Sequence, residues 1–174
     1  MRENRLTEES ICIREIEERD IELIRNWRNQ DKIRQYFLNQ NYITEQQQQQ
    51  WFQMYKQKKD DKMFIIEKSG AKNTRIGAFA FYYIDLHKHT AEFGRLMIGE
   101  ESFVGKGFGK QAVILACKYA FEQLNIEEIY VYILTHNTKV IQLHKDIGFV
   151  IEKKNGNENT TYMVIKKQYG INLS

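Results

Sequence analysis

No stretch of this sequence approaches the roughly 20 consecutive apolar residues that a membrane span requires, which excludes a transmembrane helix. The opening residues MRENRLTEES have no apolar core, so no secretory signal is expected and a cytoplasmic location follows by default. Cysteine is scarce: Cys12 and Cys117 are far apart and form no CxxC, so reduced thiols are expected rather than a disulfide. Charge of one sign is also scarce. The net value of +3 is too small and too evenly spread to argue for nucleic acid or an anionic membrane as partner. Proline is absent altogether, and no physical account of that absence is at hand. No composition break marks a linker, so the 174 residues are expected to form a single domain.

What is present alternates between strand-like and helix-like patterns. Ile11 and Ile13 alternate with polar residues and suggest a strand near 11–16. Asp20 is placed to cap a helix whose inner face carries Leu23, Ile24 and Trp27. Thr44 with Gln47 reads as a capping box, which makes the run Gln46–Gln50 the polar side of a helix extending to about Lys58. Strands are expected at Met63–Glu67, Ile76–Ile84 and Thr90–Ile98, with turns at Ser69–Asn73 and Leu86–His89. Gln111–Leu124 places Ala112, Val113, Ala116, Tyr119, Ala120 and Leu124 on one helix face. Glu128–Leu134 reads as a strand and Thr138–Ile147 as a helix. A last hairpin, Val150–Lys153 with Thr160–Lys166, turns around Asn155–Gly156. This is a mixed α/β or α+β layout, in which the crossover makes Thr90–Ile98 and Glu128–Leu134 parallel neighbours.

The most informative segment is Val104-Gly105-Lys106-Gly107-Phe108-Gly109-Lys110, between a strand and a helix. Three glycines in five residues permit positive φ and close approach to a ligand. A helix that starts here presents unpaired N–H groups and the positive end of its dipole, which favour a phosphate. Lys106 and Lys110 add charge. The dinucleotide fingerprint fails because position 110 is Lys, and the nucleoside-triphosphate loop fails because Gln111 follows Lys110 and Val104 stands where that loop needs Gly.

VGKGFGK resembles the acetyl-CoA loop of the GNAT N-acetyltransferase superfamily, R/Q-x-x-G-x-G/A, with Gly107 and Gly109 matching and Val104 at the Arg/Gln position. Asn137 through Phe149 is similar to that family's second signature, N-x-x-A-x-x-x-Y-x-x-x-G-F. Asn137, Gly148 and Phe149 match, Val140 stands for the small residue and His144 for the tyrosine. The opening segment resembles the ribosomal-protein N-terminal acetyltransferase (RimJ/RimL-like) branch and the polyamine acetyltransferases.

The resemblance implies the GNAT fold: a central, mostly antiparallel sheet of six to seven strands with one parallel, splayed pair, flanked by about four helices. It implies an acetyl-CoA-dependent N-acetyltransferase working by direct attack of a primary amine in a ternary complex, with acetyl-CoA as co-substrate and no metal. Acetyl-CoA would be held by Val104, Gly105, Lys106, Gly107, Phe108, Gly109 and Lys110, by main-chain groups of Leu96, Met97 and Ile98, and by Asn137 and Val140.

Glu92 is the candidate base. An apolar setting would raise its pKa, but it also reads as a carboxylate paired with Arg95 or a lysine. His144 shares a helix face with Asn137, Val140 and Ile141, and is read either as the acid for the leaving thiolate or as a packing residue. Trp27, Arg28, Asn29, Tyr82 and His87 are candidates for the acceptor site. Trp27 also reads as core, and the His87–His89 turn as solvated. The resemblance implies an acceptor that is an amino-sugar nucleotide, a protein or peptide N-terminus, or a polyamine. Loss of the usual Arg/Gln and Tyr leaves open a non-catalytic acyl-CoA-binding module. The terminal hairpin offers an edge for a homodimer.

Overall fold

The computed structural model describes residues 6–8, 10–152 and 157–172. Among these, eight strands form one sheet: β1 Leu6–Glu8, β2 Ile11–Glu15, β3 Lys62–Lys68, β4 Thr74–Asp85, β5 Thr90–Ile98, β6 Glu128–Leu134, β7 Val150–Ile151 and β8 Thr160–Lys166, in the order β1-β2-β3-β4-β5-β6-β8-β7. Among the described residues only β5 and β6 pair in parallel. The helices are α1 Ile21–Asn29, α2 Asp31–Arg34, α3 Glu45–Tyr55, α4 Phe108–Gln123 and α5 Thr138–Ile147. The short β1 and α2 are the additions to the expected strands and helices, and both lacked a legible pattern. The expected turn at 155–156 lies outside the described residues.

Strand alternation divides the core in two. Phe64, Phe79, Phe81 and Phe93 face α4 and α5, with rings 5.0 to 6.0 Å apart. Ile65, Ala78, Ala80 and Met97 face the other way, onto Ile24 and Trp27 of α1 and Phe52 of α3. The capping box of α3 is formed: Gln47 N donates to Thr44 Oγ1 and Thr44 N donates to Gln47 Oε1. Gln48, alone of its run, is buried, and its Nε2 donates to Ile21 O at 3.0 Å.

Two expectations need correction. The helix expected from Gln111 begins at Phe108, because Gly107 supplies the left-handed N-cap (φ 83°) and leaves Phe108–Lys110 in the first turn. Asp20 does not cap α1 with its side chain. It is fully buried and accepts hydrogen bonds from Arg14 (2.7 and 3.0 Å), Arg75 (3.1 Å) and Glu17 N (2.8 Å). A buried arginine demands carboxylates, and Arg14 takes both Asp20 and Glu67.

The feature that shapes the site is a β-bulge in β5. Ala78 pairs with Met97 but Ala80 with Gly94, so β5 carries one extra residue there, and Arg95 adopts φ 54°. Parallel pairing with β6 covers only Thr90↔Glu128, Ala91↔Ile129 and Glu92↔Tyr130. Beyond Glu92 the two strands part, while β6 stays paired with β8 to its end at Leu134↔Thr160.

Immediately after β5, Gly99 lies against the indole of Trp27. A Cβ there would come within 2.0 Å of Trp27 Cγ. Gly99→Ala is therefore expected to cost about 2 kcal/mol or more by overpacking, read as a lowered midpoint in urea unfolding.

Candidate active site

The loop 104–107 enters α4 through two left-handed glycines, Gly105 (φ 75°) and Gly107 (φ 83°), and a Cβ at either would meet nothing within 4 Å. Their reason is therefore conformational rather than steric. Gly109 sits inside the helix, where a Cβ would only touch Leu143 at 3.7 Å. No side chain caps the helix. The first amide with an acceptor in the helix is that of Gln111, bonded to Gly107 O at 3.2 Å. The amides of Phe108, Gly109 and Lys110 precede it at the positive end of the dipole. Phe108 is buried against Phe103 and anchors the turn, whereas Val104 is exposed. The arrangement fits a diphosphate.

The gap between β5 and β6 opens beside this turn's helix. Met97 is buried on the α1 face, and Leu96 and Ile98 pack on the α4 face, which leaves their main chain to line the parting. Asn137, expected at the cofactor, caps α5: Val140 N donates to its Oδ1 at 3.4 Å. Val140 is half-buried against the core.

Glu92 is the last paired residue before the gap and is buried, with 7% of its surface exposed. Burial raises its pKa above the ordinary carboxylate value, and a hydrogen bond with Tyr82 partly offsets this. It is not paired with Arg95. That guanidinium is held by the buried Asp61 at 3.0 to 3.2 Å and lies 4.7 Å over the Tyr82 ring. From the sequence Arg95 was read as a possible partner of Glu92, whereas Asp61, which holds it in the structure, was not singled out. They are 34 positions apart, and no local pattern links them.

His144 lies on the opposite face of β5, 5.8 Å from the Phe93 ring and 4.8 Å from that of Phe149. Its Nδ1–H donates to Val140 O at 2.8 Å, and its Nε2 has no partner. Burial lowers its pKa to about 4, so the ring is neutral at pH 7 with the lone pair on Nε2.

The W-R-N cluster is largely consumed by the fold. Trp27 is core, with Nε1 donating to Glu100 at 3.0 Å. Asn29 exchanges two 2.8 Å bonds with the main chain of Ile43. Arg28 is buried, lies 3.8 Å over the Phe37 ring and donates to Asn39 O. Its Nη1 has no partner, and burial lowers its pKa to about 10. His87 is exposed in a turn closed by Asp85, whose Oδ1 accepts from His87 N and Lys88 N. An open cavity of about 690 Å³, lined by Leu38, Gln40, His136, Glu158 and Thr160 among others, lies at the end of β6.

An acetyltransferase (GNAT) domain model matches residues 10–150, and the chain belongs to that family. It is an acetyl-CoA-dependent N-acetyltransferase. It is 26% identical over 162 residues to the spermidine N(1)-acetyltransferase of Vibrio cholerae, covering 91% of each chain. It is 27% identical over 137 residues to the acetyltransferase PseH of Campylobacter jejuni, covering 79% of this chain and 81% of the other. The crystal structure of the Vibrio cholerae spermidine N-acetyltransferase with CoA and spermine superposes with a TM-score of 0.83 at 23% identity, covering 91% and 96%. Among the described residues no helix is long and apolar enough to cross a membrane.

The His144 environment generates a test. Between pH 6.5 and about 4 the unfolded chain binds the proton that the folded chain refuses, so stability falls as pH drops through that window. The loss approaches roughly 3 kcal/mol. His144→Phe is expected to flatten this dependence, as read by urea unfolding at pH 7, 6, 5 and 4.

Proposed function

We propose that the chain moves an acetyl group from acetyl-CoA to a primary amine by direct attack, with Glu92 as base. The observation that carries this is the position of Glu92: a buried carboxylate of raised pKa at the apex where β5 leaves β6. In this reading, the amides from Gly105 to Lys110 hold the diphosphate of acetyl-CoA, with the side chains of Lys106 and Lys110 adding charge and Val104 and Phe108 shaping the turn. The main chain of Leu96, Met97 and Ile98, with Asn137 and Val140 at the start of α5, lines the path of its pantetheine arm. Main-chain N–H of β5 past the bulge supplies the oxyanion donor. Glu92 takes one proton from the substrate ammonium, directly or through water. His144 begins neutral, so it serves the departing sulfur as a relay. Its Nε2 accepts the second proton shed by the nitrogen and passes it to the thiolate.

The acceptor is best matched by an amine on an anionic carrier, an amino-sugar nucleotide first. Arg28 is a buried cation with an unpartnered Nη1, whereas the neighbouring Arg34 and Lys32 pair with Asp31 and Glu101. Removing a charge from water without a counter-charge is costly, and an anionic ligand would offset that cost. Trp27 and Asn29 act behind Arg28 by fixing α1 and the 39–43 segment, and Tyr82 and His87 belong to the hairpin on the acceptor side. A polyamine is the second reading, favoured by relatives named for spermidine and by Glu158 in the cavity. A peptide N-terminus, as in the RimJ/RimL-like branch, is third. A single domain over the whole chain, a cytoplasmic location and a homodimer complete the proposal.

Glu92→Gln is expected to cut turnover on the order of 100-fold with CoA affinity unchanged. Gly107→Val should weaken CoA at least about tenfold in calorimetry, because its φ of 83° strains a β-branched residue. Unchanged values in folded variants would sink the proposal.

Thiol release should favour phosphorylated amino sugars over spermidine. Arg28→Gln should raise KM at least about tenfold for the former only, and a preference for spermidine would reverse the acceptor assignment.

A further inference from the structure

Glu92 faces the acceptor side of the sheet, and every element packed around it there contributes a group. Tyr82 comes from β4 and stands directly opposite it in the hairpin register. Arg95 comes from β5 itself, with Asp61 holding its guanidinium. Tyr130 comes from β6, its pKa pushed up to about 12 chiefly by burial, so it is neutral. Tyr83 packs edge-on against the Tyr82 ring at 5.4 Å, and its own backbone sits at φ 52° in a second irregularity of the hairpin. Of these groups, Tyr82 shares a hydrogen bond with the Glu92 carboxylate.

We propose that Tyr82 is a positioning residue for Glu92, its hydroxyl seated in the space that Gly94 leaves by having no side chain. A Cβ on Gly94 would lie 2.4 Å from Tyr82 Oη, 3.0 Å from Cε1 and 3.1 Å from Cζ, so the tyrosine occupies the volume that any other residue at position 94 would fill. The ring is clamped from its face by the Arg95 guanidinium, which is fixed in turn by the buried Asp61. Gly94 is the last paired residue before β5 bulges at Arg95 and Leu96, so the seat lies directly beside the distortion. Burial holds the phenol well above its ordinary pKa, which keeps it a donor throughout the working range of a carboxylate base.

The physical consequence is a balance. Burial favours the protonated form of Glu92, and the donated hydrogen bond favours the carboxylate. Without the bond the carboxylate would stay protonated to higher pH and would be free to rotate away from the gap. With it, the balance moves back toward the carboxylate, and the group is aimed at the place where the amine must lose its proton.

The inference rests on the reading of Glu92 as the base, and its test is separable from that reading. Carboxyl carbons of protein labelled with ¹³C at Glu Cδ are titrated by NMR in the full chain, and Glu92→Gln identifies the resonance. Tyr82→Phe keeps the ring under Arg95 and removes only the hydroxyl. It is expected to raise the Glu92 midpoint by about half a pH unit or more. Gly94→Ala, which displaces the hydroxyl while retaining it, should move the midpoint in the same direction. A midpoint that stays fixed or falls in folded Tyr82→Phe overturns the positioning role. Undiminished turnover in Glu92→Gln overturns the base reading instead, and with it this inference.

Discussion

Two parallel strands that begin paired and then separate impose the constraint from which the rest follows. A parallel ladder is stable only while both strands keep the same twist, and one extra residue in β5 breaks that match. Arg95 takes the left-handed conformation that the extra residue requires. That strain is tolerated because β4 on one side and the Asp61 ion pair over the other hold the strand in place. The main-chain groups that would have bonded β6 are thereby released toward a gap, and whatever enters the gap meets donors already oriented.

Around that gap the chain treats its charges in two ways. On the far edge, Arg14 is buried with Asp20 and Glu67 in contacts of 2.7 to 2.9 Å, a network that pins the turn before α1. Those carboxylates are spent. Near the gap the buried charges are answered less directly: Glu92 has a neutral tyrosine at hand and feels the Arg95 charge only at a distance, and Arg28 has a carbonyl and a phenyl ring rather than an acid.

The glycine turn before α4 and His144 stand apart from these ion pairs. Gly105 and Gly107 adopt their conformation at an entropic cost, and a side chain at either would meet nothing, so crowding is not the reason for them. His144 is enclosed by Phe93 and Phe149, which strip it of water and hold it neutral. An imidazole in that setting is uncharged at neutral pH, so it does not start as the imidazolium that a resident acid would be.

The sequence by itself determined the elements and the glycine turn that enters α4. Hydrophobic periodicity and the glycine spacing of Gly105, Gly107 and Gly109 are local properties, and local geometry decides helix, strand and positive φ. The family's two signatures were legible for the same reason. The start of α4 was misplaced by three residues because Phe108 reads as loop until Gly107 is known to be the cap. The face of Glu92 was undecidable, since strand alternation defines two faces without saying which is buried. Tertiary structure alone decided that Arg95 belongs to Asp61, that Tyr82 belongs to Glu92, and that His144 is neutral. Each of those depends on desolvation and on partners brought together across strands, and neither is encoded in the spacing of a single segment.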